Sequence, residues 1–532
     1  MTDVRDGAPD TEEISPWPAL WALVIGFFMI LVDSTIVSVA TPSLMSAFGA
    51  DINEVLWVTS AYLLAYAVPL LVTGRLGDRF GPKRVYLTGL TVFTIASLWC
   101  GMTGELDQGI GALIAARVLQ GLGASMMTPQ TMAVITRTFP AQRRGSAMAL
   151  WGATAGVATL AGPLLGGILV DTLGWEWIFF VNVPVGVVGF VLALRLVPRL
   201  ETHARTVDLV GVALSAVGLF CFVFGLQEAQ AYGWGTIWGP VSVPLLLGVG
   251  VALLGIFVWW QSRTRRDPLV PLSLFSDRNF SLANVAITTM GFAVTAMIFP
   301  FMIWAQDARG MTPTQAALLL APQSILAFVI APLAGKLTDQ LHPRLLAGAG
   351  TALFSGSLVW LAVVMGPQTP VWQVLVGSTL MGLASPFVWG PVATTATRNL
   401  PPQLAGAGSG VYNTTRQMGA VVGSASIAML MQARLAVHAP GSGLAGAGQV
   451  EAGTSTGTTG ADAVSPAAVD AVSPAVVDAV SPAVAEAVSR ALAETMLLPA
   501  AVLLVGTVAA VFFERPRHLR PAPGPAEVST RD

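Results

Sequence analysis

The sequence is short of charge. Charged residues make up 11% of its 532 positions, where a soluble domain carries roughly 25%. Lysine occurs only at Lys83 and Lys336, cysteine only at Cys100 and Cys221, and histidine only at His203, His342, His438 and His518. Each shortage excludes something. So few charges cannot cover a soluble globule of this size, which rules out an ordinary soluble enzyme. A net charge of −2 leaves no basic face for nucleic acid. Lys83 is followed by Arg84 and Lys336 by Leu337, so there is no Walker A loop. Both cysteines lie in apolar runs and read as small buried hydrophobes, not as a disulfide framework. The histidines are scattered, with no HExxH and no Cys/His cluster. Neither a metal site nor a nucleophile–base set is expected, and hence no enzyme and no cofactor.

What is abundant is apolar. Hydrophobic residues make up 54% of the chain and the mean hydropathy is +0.70. A membrane helix needs roughly 20 apolar residues, so fourteen would use about 280–300. Apolar runs divided by polar or Gly/Pro-marked breaks predict helices over 17–41, 55–74, 84–103, 108–129, 145–170, 176–196, 207–228, 237–261, 280–304, 313–334, 345–365, 371–395, 405–433 and 493–513. The acidic N-terminus makes a poor secretory signal, so the first run reads as a retained helix. With the N-terminus inside, 22 of the 27 basic residues fall on the cytoplasmic side. Three (Arg309, Arg434, Arg490) fall outside, and two (Arg117, Arg416) lie within helices. Inserting or deleting one central helix would destroy this asymmetry, so both termini are expected in the cytoplasm.

An internal repeat organises the chain. Gly74-Arg75-Leu76-Gly77-Asp78 recurs as Gly335-Lys336-Leu337-Thr338-Asp339 at an offset of 261. Gly121 and Gly382, Gly145 and Gly406, and Gly162 and Gly423 keep the same offset. The expected fold is an all-α polytopic membrane protein of two six-helix halves, 17–196 and 280–513. An inserted helix pair spans 207–261, and cytoplasmic tails cover 1–16 and 514–532. Residues 439–462 are rich in Gly, Ala, Ser and Thr, and four octads such as AVSPAVVD follow at 463–494. The segment 435–492 reads as a low-complexity outer loop, with the last octad able to run on as helix because Arg490 replaces its proline.

These residues resemble the major facilitator superfamily, and within it the fourteen-helix drug:proton antiporters, over nearly the whole chain. GRLGDRFGPKR (Gly74 to Arg84) looks like the loop motif after helix two, and RVLQGLG (Arg117 to Gly123) like the helix-four motif. Gly156 to Gly167, ending AGPLLGG, looks like the helix-five antiporter motif. Val32 to Val37 with Ala40 and Pro42 resembles the helix-one motif, and Trp175 to Phe179 with Asn182, Pro184 and Gly186 the helix-six entry. Departures are Ser38 for Asn, Glu176 for Arg, and Gln340 and His342 for Arg and Gly in the second loop copy. The resemblance implies a major facilitator fold and proton-driven export.

Asp33 stands deep in an apolar run, where a charge costs roughly 2.5–3.5 kcal/mol. A carboxylate held out of water is biased toward its neutral form, which suits proton exchange. In the resembling transporters this position couples proton entry to drug release. Arg117 and Asp33 each lie about 12 Å below the outer surface by helix rise, so they can pair, with Gln120 one turn away. Arg416 has no acid at its depth and is expected to face a cavity or a partner. Gln120 and Gln323 are further cavity candidates. Gly74, Asp78, Arg79, Gly81, Lys83 and Arg84 are expected at a cytoplasmic gate. There Asp78 either pairs with Arg79 or caps a helix of the other half. Gly156, Gly162, Pro163, Gly166 and Gly167 are expected to form a bent, close-packing face. The reading is a monomeric proton-coupled exporter of a drug-like small molecule in the cytoplasmic membrane. The alternatives are a metabolite importer on the same fold and a non-transporting scaffold.

Overall fold

A computed structural model describes residues 15–438 and 482–514, apart from 51, 107, 141–142, 203–207, 230–231 and 265–266. The two tails up to 14 and from 515, and the octads up to 481, lie outside the described residues. Twelve described helices are long and apolar enough to cross a membrane, or thirteen when one bent pair counts as a single span. We number the long helices in chain order. In the first half α1 is Trp17–Ile36, α2 is the bent pair Ile52–Ala67 and Leu70–Phe80, and α3 is Pro82–Met102. They are followed by α4, Gly109–Thr138; α5, Arg144–Leu173; and α6, Trp177–Leu196. The inserted pair is α7, Leu209–Glu228, and α8, Val243–Arg263. The second half holds α9, Arg278–Gln306; α10, Thr314–Gln340; α11, Pro343–Val364; and α12, Val371–Thr397. It ends with α13, Ala405–His438, and α14, Ala483–Val511.

The expected helix order is thus recovered, with instructive differences at the ends. Pro69 leaves Thr73 to bond back to its own carbonyl, and the two pieces of α2 meet at 46°. The second piece runs on to Phe80, so the motif expected as a loop is mostly helix. Only Gly81 breaks it, at φ +92°, a conformation that suits glycine. Helix α4 continues through Pro129 to Thr138, because neighbouring helices can re-satisfy the backbone in a membrane bundle. Helix α1 stops at Ile36, and a 3₁₀ turn leads to a short helix, Thr41–Phe48. The start expected for α8 at 237 is instead a small antiparallel hairpin, Thr236–Trp238 with Val241–Ser242, turning at Gly239 and Pro240.

The largest difference concerns the segment between α13 and α14. Helix α13 extends to His438, and Pro482–Thr495 is helical, with Val488, Ser489, Ala491 and Leu492 buried. Glu494 bridges Arg434 at 3.4 Å and His438 at 3.3 Å. The helix expected of the last octad thus begins earlier, at Pro482, and packs into the bundle through the apolar side chains on one of its faces.

Each half packs upon itself through α3–α4 and α2–α4 in the first and α9–α13 and α11–α14 in the second. The halves meet along two related seams, α5 on α10 and α2 on α13. Helix α7 touches both α2 and α13, with Trp57 against Phe224 at 5.5 Å, so α7 lies across the second seam and α8 packs on α7.

Candidate functional site

Asp33, Arg117 and Gln120 come together as expected. Arg117 donates to Asp33 Oδ2 at 2.5 Å and Gln120 donates to Asp33 Oδ1 at 2.7 Å, and all three are wholly buried. The Arg117 guanidinium also donates to Gln120 Oε1 at 2.5 Å and, through Nε, to the Val58 carbonyl at 3.1 Å. Its plane lies 4.1 Å from the Tyr62 ring centre. Two residues without an assigned role in the sequence complete the group. Asn182 donates to Asp33 Oδ1 at 2.8 Å, and Ser97 accepts from Gln120 at 2.6 Å. Five helices, α1, α2, α3, α4 and α6, thus converge on one carboxylate. Asn182 and Ser97 carried no charge to flag them inside apolar runs; Asn182 stood in the motif at the start of α6.

A buried ion pair of this kind is tightly conditional. Its charges are stabilised by each other and by two amide donors to the carboxylate, Gln120 and Asn182. Neutralising Asp33 by a proton would leave Arg117 unpaired out of water, and moving Arg117 away would leave Asp33 unpaired. Loss of either charge therefore destabilises the other.

The glycine face of α5 explains how α1 is held. A Cβ on Gly162 would fall 3.0 Å from Thr35 Cβ and 3.2 Å from the Val32 carbonyl, both within two residues of Asp33. A Cβ on Gly152 would fall 2.6 Å from the Cβ of Trp389 in the other half. Gly166 is buried, but Gly167 has open space beside it and carries no close approach. The helix continues through position 163; the side chains at 156 and 163 lie outside the described residues, and the expected bend with them.

At the arginine-rich end, Asp78 accepts from the backbone N–H of Gly406 and Ala407, both at 3.0 Å, and from Arg137 at 2.7 Å. It caps the start of α13 and does not pair with Arg79, which is exposed beside Phe80. Gly74 permits the approach, since a Cβ there would meet the Gly406 carbonyl at 2.5 Å. Lys83 donates to the carbonyls of Leu194 and Val197 at 2.7 and 2.6 Å and braces α6, while Arg84 is exposed. The repeat reproduces the contact. Asp339 accepts from the N–H of Gly145 at 2.8 Å and of Ser146 at 3.2 Å, capping α5. The departures at Gln340 and His342 leave this contact intact, because it needs only the carboxylate and a helix start.

Arg416 does not reach Asp33. Its Nη2 lies 3.5 Å from the Tyr66 hydroxyl of the other half. Gln323 is partly buried, with its backbone against Gly382, and shares no described hydrogen bond with the Asp33 group. Glu228, at the end of α7, is 8% exposed, a buried carboxylate that its position beside a polar connection concealed.

A helical bundle of two repeated halves around buried charges defines a multi-pass membrane protein. The Major Facilitator Superfamily pattern matches residues 23–424. An uncharacterised MFS-type transporter of Mycobacterium tuberculosis is 48% identical over 511 residues, covering 96% of this chain and 83% of its own. The tetracenomycin C resistance and export protein of Streptomyces glaucescens is 33% identical, over 79% of this chain and 77% of its own. Among solved structures, the proton:xylose symporter XylE superposes with a TM-score of 0.57 at 14% identity, covering 79% of this chain and 90% of that one, a likeness of fold. The chain belongs to the major facilitator superfamily, a family of membrane transporters and not of enzymes.

Proposed function

We propose that this chain is a proton-coupled exporter of amphipathic organic compounds. In this reading it sits in the cytoplasmic membrane with fourteen spans, α5 included, and with both termini inside. The observation that carries the reading is the wholly buried Asp33–Arg117 pair at 2.5 Å. A carboxylate so enclosed exchanges a proton only when the surrounding helices move, which ties protonation to the rocking of the halves. The tetracenomycin C export relative supports export over uptake. Drug bound from the inside leaves as a proton enters from the outside. The bridges at Asp78 and Asp339 are the contacts that close the cytoplasmic side between cycles.

The test is a resistance and efflux panel in a pump-deficient host, with and without an uncoupler, beside flux in inverted and right-side-out vesicles. Export that collapses with the proton gradient is expected. Asp33→Asn at normal expression is expected to cut it at least about a hundredfold, the loss typical of a missing proton-transfer group. Full proton-driven efflux by that variant, or net uptake by the parent, would overturn the proposal.

A further inference from the structure

Asp33 and Arg117 cancel each other at 2.5 Å. Arg416 is not cancelled. It lies eleven residues into α13, about 16 Å from the start of the helix by rise, near the middle of the bundle. No carboxylate pairs with it among the described residues, and its Nε is buried without a hydrogen-bond partner. Among the described residues its one polar side-chain contact is the Tyr66 hydroxyl, at 3.5 Å. Arg416 is only partly buried, and a neutral hydroxyl at that range is poor compensation for a guanidinium midway along the bundle. A carboxylate or sulfonate would offer two short charge-assisted bonds and satisfy the orphaned nitrogen. A cationic amphipath would meet like charge instead.

Tyr66 also connects Arg416 to the proton pair. Its hydroxyl lies 3.1 Å from that of Thr128. Its ring stacks on Tyr62, one turn earlier on α2, at 6.2 Å between centres and 19° between planes. The Tyr62 ring is the face on which Arg117 rests, and the Tyr62 hydroxyl donates to the Ile30 carbonyl of α1 at 3.2 Å. The contacts thus run unbroken from Arg416 in the second half to Arg117 and Asp33 in the first.

We propose that Arg416 is the recognition cation for a lipophilic monoanion and that Tyr66 and Tyr62 couple its occupancy to the Arg117–Asp33 pair. This rests on the export reading and names its substrate class. An anion that takes the Arg416 guanidinium withdraws it from Tyr66, and the stacked rings then shift beneath Arg117. Arg117 in turn loosens its hold on Asp33, which becomes free to take the incoming proton. Tyr62 and Tyr66 are positioning residues here. One proton entering against one monoanion leaving carries two charges inward, so the membrane potential would drive the exchange as well as the pH difference.

Binding equilibria test this without any gradient. The full chain in lipid nanodiscs is titrated with 8-anilinonaphthalene-1-sulfonate and with the uncharged N-phenyl-1-naphthylamine, each corrected for partition into empty discs. The parent is expected to favour the sulfonate at least about tenfold, a preference that Arg416→Lys keeps and Arg416→Gln loses. Equal affinities in the parent, or an unchanged preference in Arg416→Gln, would overturn the recognition site. Asp33→Asn is expected to shift sulfonate affinity about fivefold in the parent and not in Tyr66→Phe. The same shift in both backgrounds would overturn the coupling path. Since these ratios need no transport, a failure of proton-driven flux would sink the export reading while leaving them to judge this one.

Discussion

Breaking the Asp33–Arg117 pair from one side should cost more than removing it whole. Arg117→Met alone leaves a buried carboxylate with two amide donors, a loss of about 3–5 kcal/mol. In the double variant with Asp33→Asn, thermal unfolding in detergent should recover most of that loss while proton-driven transport stays absent. Additive losses would show that the two residues act independently. Asn182→Ala removes one donor to a charged group and should cost about 1.5–3 kcal/mol by the same measurement. Asp33 and Arg117 were legible in the sequence because charges are conspicuous inside apolar runs, and Gln120 because it lies one helical turn from Arg117. Ser97, Tyr62 and Tyr66 were not, since such residues are ordinary in membrane helices and only the fold aims them at one point. Arg79 and Arg137 show the converse. Sequence proximity favoured the first as the partner of Asp78, and the helix crossing selected the second.

At the level of the element, close backbone approach governs what substitution can do. Gly162→Val would drive a branched side chain into Thr35 and the backbone of α1 next to Asp33. It should impair transport more than Gly167→Val, which faces open space, when both are compared at equal membrane expression. The inserted pair has its own clasp. Asp208 caps α7 through the Gly211 N–H at 2.8 Å and accepts from Trp260 at 3.0 Å and Gln261 at 2.7 Å on α8. Burial pushes its carboxyl upward, but these donors outweigh burial and hold it below the ordinary carboxylate range. A depressed folded value means the stabilisation is complete above the unfolded value, about 3.9, and is lost as pH falls through the lower folded one. Asp208→Asn should therefore lower the melting temperature at pH 7, and the gap from the parent should narrow as the pH falls below about 4.

Across the whole molecule, the two capping carboxylates act as one device. Asp78 caps α13 and Asp339 caps α5, each across a seam between the halves. In a background without Cys100 and Cys221, a thiol introduced as Ala149→Cys on α5, packed against Gly390 of α12, reports opening of that end. Labelling by a water-soluble maleimide should rise in Asp78→Asn, rise in Asp339→Asn, and rise furthest in the double variant, each step about ten- to a hundredfold for about 1.5–3 kcal/mol of lost charged hydrogen bonds. Unchanged labelling in the double variant would remove these carboxylates from any gate.

The sequence by itself determined the environment and the repeat. So few charges forced the helices into a membrane, and the constant 261-residue offset forced two like halves, because both follow from composition and order along the chain. Which residues meet was decided only by the tertiary structure. Helix starts, caps and crossings lie tens to hundreds of positions apart, and a one-turn shift of α2 against α13 would replace the Asp78 cap and the Tyr66–Arg416 contact with other neighbours. Residues 482–492 show the same limit. Their composition continued a low-complexity tract in which the last octad alone read as able to be helical, and packing against α13 and the core fixed where the helix begins and what it buries.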